Sequence, residues 1–170
     1  LVVVDESSTH LDMNRAYARA PRGQRAYCSA RRNTGHNLTL LAGLRLEGMC
    51  AAFAVEGGVN AAVFELYVQR VLFPELHPGD ILVLDHLAVH KSARVRAACD
   101  AHGVRLLFLP TYSPDLSPIE NAFAKLKAFL RRMRPQTVDT LIDAIAQGLP
   151  LISPDDAIGF FTRAGLLNLD

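Results

Sequence analysis

Apolar runs and polar gaps alternate along the chain in a pattern that sketches an α/β sheet. Leu1 to Val4 is a continuous apolar run that closes on Asp5, as a buried strand ending in a carboxylate does. Residues 6–35 are polar and arginine-rich, carry the turn signal Pro21-Arg22-Gly23, and read as a long connection. Residues 37–46 and Met49 to Val55 read as two strands joined at Glu47-Gly48, a hairpin that Gly57-Gly58 ends. Asn60 is a good N-cap for a helix with Phe64, Tyr67, Val68 and Val71 on one face, stopped near Pro74. After the Pro78-Gly79 turn, Ile81 to Leu84 is a second short apolar strand, and it too ends in an aspartate, Asp85. A helix is expected from Ser92 to His102 with Gly103 at its stop, then a buried strand from Val104 to Leu109 closed by Pro110. Residues 111–118 form a loop of Pro, Ser and Asp. The helix that starts at Ser117-Pro118 carries Ile119, Phe123, Leu126 and Leu130 on one face and ends at Pro135. Two further helices are predicted near 137–148 and 154–164. There is no repeat, low-complexity tract or linker, so residues 1–170 are expected to form one α/β domain whose sheet is antiparallel in one half and parallel in the other.

Composition narrows the class. A chain of 170 residues favours one domain, and 50% hydrophobic residues supply a core and exclude general disorder. No apolar run approaches the roughly 18–20 residues that cross a bilayer, so no membrane association is expected. The chain opens on its apolar run without Met, a basic start or a cleavage site, which suggests an excised domain. Cys28, Cys50 and Cys99 form no CxxC pair, and a reduced, cytosolic setting is the simple expectation.

Charge adds a second pattern beneath the net value of +1. Between Met13 and Leu46 stand seven basic residues (Arg15, Arg19, Arg22, Arg25, Arg31, Arg32, Arg45) and no acid. Between Ala122 and Val138 stand five more (Lys125, Lys127, Arg131, Arg132, Arg134), again with no acid. The rest of the chain holds all 17 acidic residues. Segregation of this kind suits a protein that holds a polyanion with one surface, although ordinary solvated faces produce it too.

The candidate chemistry lies in carboxylates. In open α/β sheets ligands bind outside the carboxyl ends of strands. Two strands ending in Asp5 and Asp85 would bring like charges together at one rim, which is unfavourable unless a cation sits between them. Oxygen donors of this type suit Mg²⁺ or Mn²⁺. Equally, an Asp after a strand can simply start a turn. Glu120 is the natural third carboxylate, but Ser117-Pro118-Ile119-Glu120 also fits the S-x-x-E capping box, and spacing alone leaves both roles open. Glu6 would face away from Asp5 if the strand continued, and Asp115 reads as a turn or cap residue.

Three motifs together resemble the catalytic domain of DDE transposases, in the mariner-like branch found in bacterial insertion sequences. They are Val-Val-Val-Asp5-Glu6-Ser7, the stretch Leu84-Asp85-His86-Leu87-Ala88-Val89-His90-Lys91, and the long run from Leu109 to Asn121 followed by Ala122 to Lys127. Thirty-four residues separate Asp85 from Glu120, the spacing of that branch. The resemblance implies a ribonuclease-H-like fold, with three antiparallel strands followed by parallel strands in a mixed five-stranded sheet flanked by helices. It implies that Asp5, Asp85 and Glu120 are the catalytic, metal-binding triad, holding two Mg²⁺ or Mn²⁺ ions per site. His86 stands where the family usually has Asn, and Phe123 where it often has Trp. Family members carry N-terminal helix-turn-helix modules that read the element's terminal repeats, and residues 1–170 are expected to be the catalytic domain without them.

The implied reaction is DNA strand cleavage at an element end, then strand transfer of the freed 3′-hydroxyl into target DNA at TA dinucleotides. Two ions activate the attacking oxygen and stabilise the leaving one. The expected partners are DNA, both terminal repeats and TA-containing target, and a second copy of the chain on that DNA. The implied location is the bacterial cytoplasm, at the nucleoid. Arg22, Arg25, Arg31, Arg32, Lys125, Lys127, Arg131, Arg132 and Arg134 are the candidate phosphate contacts. His86, His90 and Asn121 are candidates for supporting the metal ligands. His90 would touch the scissile phosphate or a bound water, or else cap the next helix. Three other readings remain at this point. One is a transposase-derived DNA-binding remnant without catalysis, and another is a different ribonuclease-H-like nuclease. The third is a phosphatase with an Asp nucleophile, which lacks its usual second acid because Ser7 fills that position.

Overall fold

The computed structural model describes residues 1–13, 18–27, 37–111 and 113–167. Its strands are β1 (Val2–His10), β2 (Asn37–Arg45), β3 (Gly48–Glu56), β4 (Ile81–Leu84) and β5 (Arg105–Phe108). Its helices are α1 (Ala61–Tyr67), α2 (Ala93–Ala101), α3 (Pro118–Met133), α4 (Val138–Gly148) and α5 (Pro154–Arg163). Among the described residues the strands form one sheet in the order β3-β2-β1-β4-β5. β1 pairs antiparallel with β2, and β2 with β3. β4 joins the other side of β1 in parallel, and β5 follows in parallel. This is the mixed sheet the sequence predicts.

The alternation of side chains along a strand divides the core in two. On one face Val3, Leu40, Ala42, Leu44 and Val83 pack under α3, α4 and α5, against Leu126, Leu130, Leu141, Ile145 and Phe161. On the other, Val2, Val4, Leu41, Leu82 and Leu84 pack under α1 and α2, against Phe64, Tyr67, Val95 and Cys99. Phe123, in place of the family's frequent Trp, is 2% exposed and remains an apolar anchor of α3. α4 crosses α3 so closely that a Cβ on Gly148 would lie 2.5 Å from Leu126 Cδ1.

Two elements differ from the sequence expectation. β1 does not end at Asp5 but runs on to His10, pairing with β2 as far as Asn37. Its second half is polar yet still alternates: Ser7 and Thr9 are buried, Ser8 and His10 exposed. The Thr9 hydroxyl donates to the Leu38 carbonyl at 2.9 Å. A strand satisfied by such bonds does not need apolar residues, and its polarity disguised it as loop. The helix after Asn60 also changes form. Asn60 caps it as expected, its Oδ1 accepting from Val63 N–H at 3.0 Å, but beyond α1 the chain widens into a π turn over Val68–Leu72. The extra residue in that turn shifts the phase, so Leu72 is buried and Val71 only partly so.

Tyr67 is 0% exposed and its hydroxyl has no hydrogen-bond partner among the described residues, an arrangement that costs roughly 1–3 kcal/mol. Tyr67→Phe is therefore expected to raise the free energy of unfolding in a denaturant titration. A destabilised Phe variant would mean that the hydroxyl is satisfied in solution.

Candidate active site

β1 and β4 run parallel with Val2 opposite Leu82 and Val3 opposite Val83. Carried two residues further, that register sets Asp5 level with Asp85, on neighbouring strands about 5 Å apart. Both follow residues of the α3-facing core, Val3 and Val83, by two positions, so both belong to that side of the sheet. Glu120 meets them from the first turn of α3, exposed at the helix N-terminus, where the helix dipole favours a negative charge. All three line one cleft of about 340 Å³, whose walls include His86, Leu109 and Ser117.

Glu120 is not engaged as a cap. The Ser117 side chain makes no capping bond to α3, and only its carbonyl accepts the Glu120 N–H, at 3.3 Å. Pro118 at the first helical position has no N–H to satisfy, which lessens the need for a cap. α4 and α5, by contrast, carry full capping boxes, Thr137 with Thr140 and Ser153 with Asp156. The capping alternative for Glu120 therefore fails on geometry.

The cleft is electrostatically strained. Burial, then the charges of Asp85, Glu6 and Glu120, push the Asp5 carboxyl up to about 7, against the pull of the Glu6 N–H that it accepts at 2.8 Å. The donor set is hard oxygen, which suits Mg²⁺ or Mn²⁺. Among the described residues, however, no three His, Cys, Asp or Glu side chains form a ready-made cage for an ion. Mg²⁺ usually takes only one or two carboxylates and completes its shell with water and substrate phosphate. An open, repulsive carboxylate cleft fits that mode of binding.

Three neighbours take different places. His86 Nδ1 lies 3.1 Å from the Leu109 carbonyl, and its ring meets Phe108 edge-on at 5.5 Å, so it ties the end of β4 to the end of β5. Asn121 is half-buried beside Glu120 and does not line the cleft. His90 is 0% exposed and neither lines the cleft nor caps α2. The cap is Ser92, whose hydroxyl accepts from Arg94 N–H at 3.2 Å. His90 instead bridges two acids, with Nδ1 2.5 Å from Asp85 Oδ1 and Nε2 3.0 Å from Glu6 Oε2. Burial opposes its charged form, but hydrogen bonding to Glu6 and the charges of Glu6 and Asp85 outweigh it and raise its pKa. An expected contact between His90 and a phosphate in the cleft is thus ruled out by burial.

A family model described as DDE superfamily endonuclease matches residues 1–142, which include all three acids. The chain belongs to that family. Solved structures agree on the fold. The strand transfer complex of Mos1 aligns with a TM-score of 0.76 at 21% identity, over 96% of this chain and 50% of that one. The Mos1 mariner paired end complex with Mn gives 0.75 at 19% identity, over 96% and 52%. The Mos1 transposase catalytic domain with Raltegravir and Mg gives 0.72 at 16% identity, over 96% and 77%. The expected ribonuclease-H-like fold is thereby shown, and the chain spans about half the length of the Mos1 chains in the two complexes. A comparison with curated protein sequences returned no match.

The basic residues of this DDE domain do not act as one group. On α3, Lys125 is ion-paired with Asp156 and ties α3 to α5, and the Arg132 guanidinium lies 5.4 Å from the Phe129 ring centroid. Lys127 and Arg131 follow Glu120 by seven and eleven positions, which at about 100° per residue keeps them within about 20° of its direction. Arg134 ends the helix in a left-handed conformation, φ 52°. Arg45 lies at the far end of the sheet, bound to Asp80 at 3.0 Å. Arg22 and Arg25 are exposed. Arg31 and Arg32, with Arg15 and Cys28, lie outside the described residues.

The strain at Asp5 predicts a pH dependence. Its folded pKa stands above the ordinary 3.8, at about 7, so the stability linked to its proton is present at low pH and is lost as pH rises through 7. In metal-free buffer Asp5→Asn should melt above the parent at pH 8, with the gap closing toward pH 4. Parallel melting curves for the two proteins across that range would contradict the strain.

Proposed function

We propose that this chain is the catalytic core of a DDE transposase of the mariner-like branch of bacterial insertion sequences. Its reaction is divalent-cation-dependent DNA strand cleavage followed by strand transfer. The observation that carries the reading is the cleft where Asp5, Asp85 and Glu120, from three separate elements, meet with Asp5 held at about 7. A cleft that disfavours its own full ionisation is one that a cation stabilises.

In this reading Asp5, Asp85 and Glu120 hold the Mg²⁺ or Mn²⁺, two ions when DNA is present. Bound there, the ions supply Lewis-acid activation of the attacking oxygen and charge stabilisation at the leaving oxygen. The chain itself supplies position. Asp5 stands on the central strand of the sheet, Asp85 directly follows the last residue of β4, and Glu120 closes the cleft from a helix anchored by Ile119, Phe123 and Leu126. Lys127 and Arg131, in line with Glu120, extend the site into a track for the phosphates that flank the scissile bond, and Arg134 continues it. Arg22, Arg25, Arg31 and Arg32 add non-specific phosphate contacts. Terminal repeats are recognised by the helix-turn-helix part of the longer protein, insertion is at TA, and the active form is a homodimer on DNA. The protein works in the bacterial cytoplasm, at the nucleoid.

The role of Glu120 is tested by Glu120→Gln, which removes the charge and keeps the shape. Nicking of a DNA substrate in Mg²⁺ should be abolished while metal-free melting is unchanged or higher. Ser117→Ala should be mild, well under the roughly 1 kcal/mol typical of a lost cap. A Gln variant that nicks at the parent's rate removes Glu120 from the site.

The phosphate track predicts a split within α3. Replacing Lys127 and Arg131 together by Ala should reduce the slope of log K for DNA against log salt by about 2, because each lost contact releases about 0.9 fewer counterions. Lys125→Ala should leave the slope alone and lower the melting temperature instead. Equal effects on the slope would mean that DNA does not follow the Glu120 side of the helix.

A further inference from the structure

Glu6 is the next residue after Asp5 and faces the other way along β1. It does not line the cleft, yet it is connected to it. Its Oε2 lies 3.0 Å from His90 Nε2, and the other ring nitrogen, Nδ1, lies 2.5 Å from Asp85 Oδ1. Each ring nitrogen is thus within hydrogen-bond distance of one carboxyl group. The ring is 0% exposed and packs on Phe64 with centroids 4.3 Å apart. The His90 backbone N–H donates to the Leu87 carbonyl at 3.1 Å, which fixes the main chain that carries the ring. The imidazole therefore has no freedom to turn. Asp85 Oδ1 further accepts the Leu87 N–H at 3.0 Å. Oδ2 accepts no hydrogen bond among the described residues, and Asp85 keeps 34% side-chain exposure at the cleft.

We propose that Glu6 and His90 are a positioning pair for Asp85, fixing the carboxylate through Oδ1 so that Oδ2 is the oxygen offered to a divalent cation. The pair rests on the reading of the cleft as a cation site. Glu6 anchors the ring from behind the sheet, the ring holds Asp85, and the Leu87 N–H sets the second angle of the same oxygen. Without the pair, Asp85 sits on an irregular segment beyond the end of β4, is repelled by Asp5, and can swing away from it. Groups that orient ligating side chains in this way commonly contribute 10–100-fold to metal affinity. Glu6 thus acts through His90 rather than as a fourth ligand.

The test is Mn²⁺ affinity measured by electron paramagnetic resonance, alongside metal-free melting and the Mg²⁺ concentration for half-maximal nicking. Glu6→Leu and His90→Leu should each weaken Mn²⁺ binding on the order of 10–100-fold. They should raise the half-maximal Mg²⁺ similarly and change the rate at saturating Mg²⁺ much less. The double variant should bind no more weakly than His90→Leu alone, because both act through one chain. Glu6→Gln keeps an acceptor for Nε2, and His90→Asn keeps a donor toward Asp85. Both should recover most of the affinity, and they decide the matter if a Leu variant fails to fold. Unchanged Mn²⁺ affinity in the Glu6 and His90 variants, with only melting lowered, overturns the proposal and leaves the pair as packing. A parent that binds no Mn²⁺, or an Asp5→Asn variant that binds as well as the parent, contradicts the cation site itself, and the proposal falls with it.

Discussion

Two aspartates at the same level of adjacent parallel strands, faced by a glutamate from a helix terminus, cannot all be ionised in a half-buried cleft without mutual cost. Burial first, and then the charges of Asp85, Glu6 and Glu120, hold the Asp5 carboxyl at about 7 instead of 3.8. The rest of the molecule is arranged to sustain it. β1 is the central strand, hydrogen-bonded on both sides, so Asp5 cannot move away. The Val3 and Val83 positions commit both aspartates to one side of the sheet. α3 is fixed by its buried face, by Lys125 to Asp156 and by the close crossing of α4 at Gly148, so Glu120 cannot retreat. Apolar packing on both sides of the sheet thus holds together charges that repel.

The imidazole of His90 is the counterweight within the protein. It lies behind the cleft, between Glu6 and Asp85, and brings a ring nitrogen to each of two of the four neighbouring acids, Asp5, Glu6, Asp85 and Glu120. Asp5 and Glu120 have no such side-chain partner among the described residues. The arrangement separates a neutralised rear from an open front, and the front is where a cation and a phosphate can enter. Lys127 and Arg131 continue from that front along α3.

Much of this was legible in the residues. Asp5 and Asp85 stood out because each ends an uninterrupted apolar run, and the order of strands and helices followed from the same runs. Glu120 was ambiguous for a definite reason: S-x-x-E describes both a cap and a ligand-bearing first turn, and only the idle Ser117 side chain separates them. The polar half of β1 was missed because its alternation is carried by Ser and Thr, and with it went the significance of Glu6. The bridge from Glu6 to His90 joins residues 84 positions apart and has no local signal. The alignment of Lys127 and Arg131 with Glu120 was available and overlooked, since their spacing from it is helical. The bond of Lys125 to Asp156 on α5 was not, because it depends on how two helices pack.

The central claim is that Asp5 and Asp85 share a divalent cation in this cleft. The direct measurement is anomalous diffraction from crystals grown with Mn²⁺ and DNA bearing an element end. The account predicts a peak within about 2.0–2.3 Å of a carboxylate oxygen of Asp5 and of Asp85 Oδ2, with Glu120 or a phosphate oxygen completing the shell. Mn²⁺ bound elsewhere on the protein, with Asp5 and Asp85 both out of reach of any ion, would contradict it.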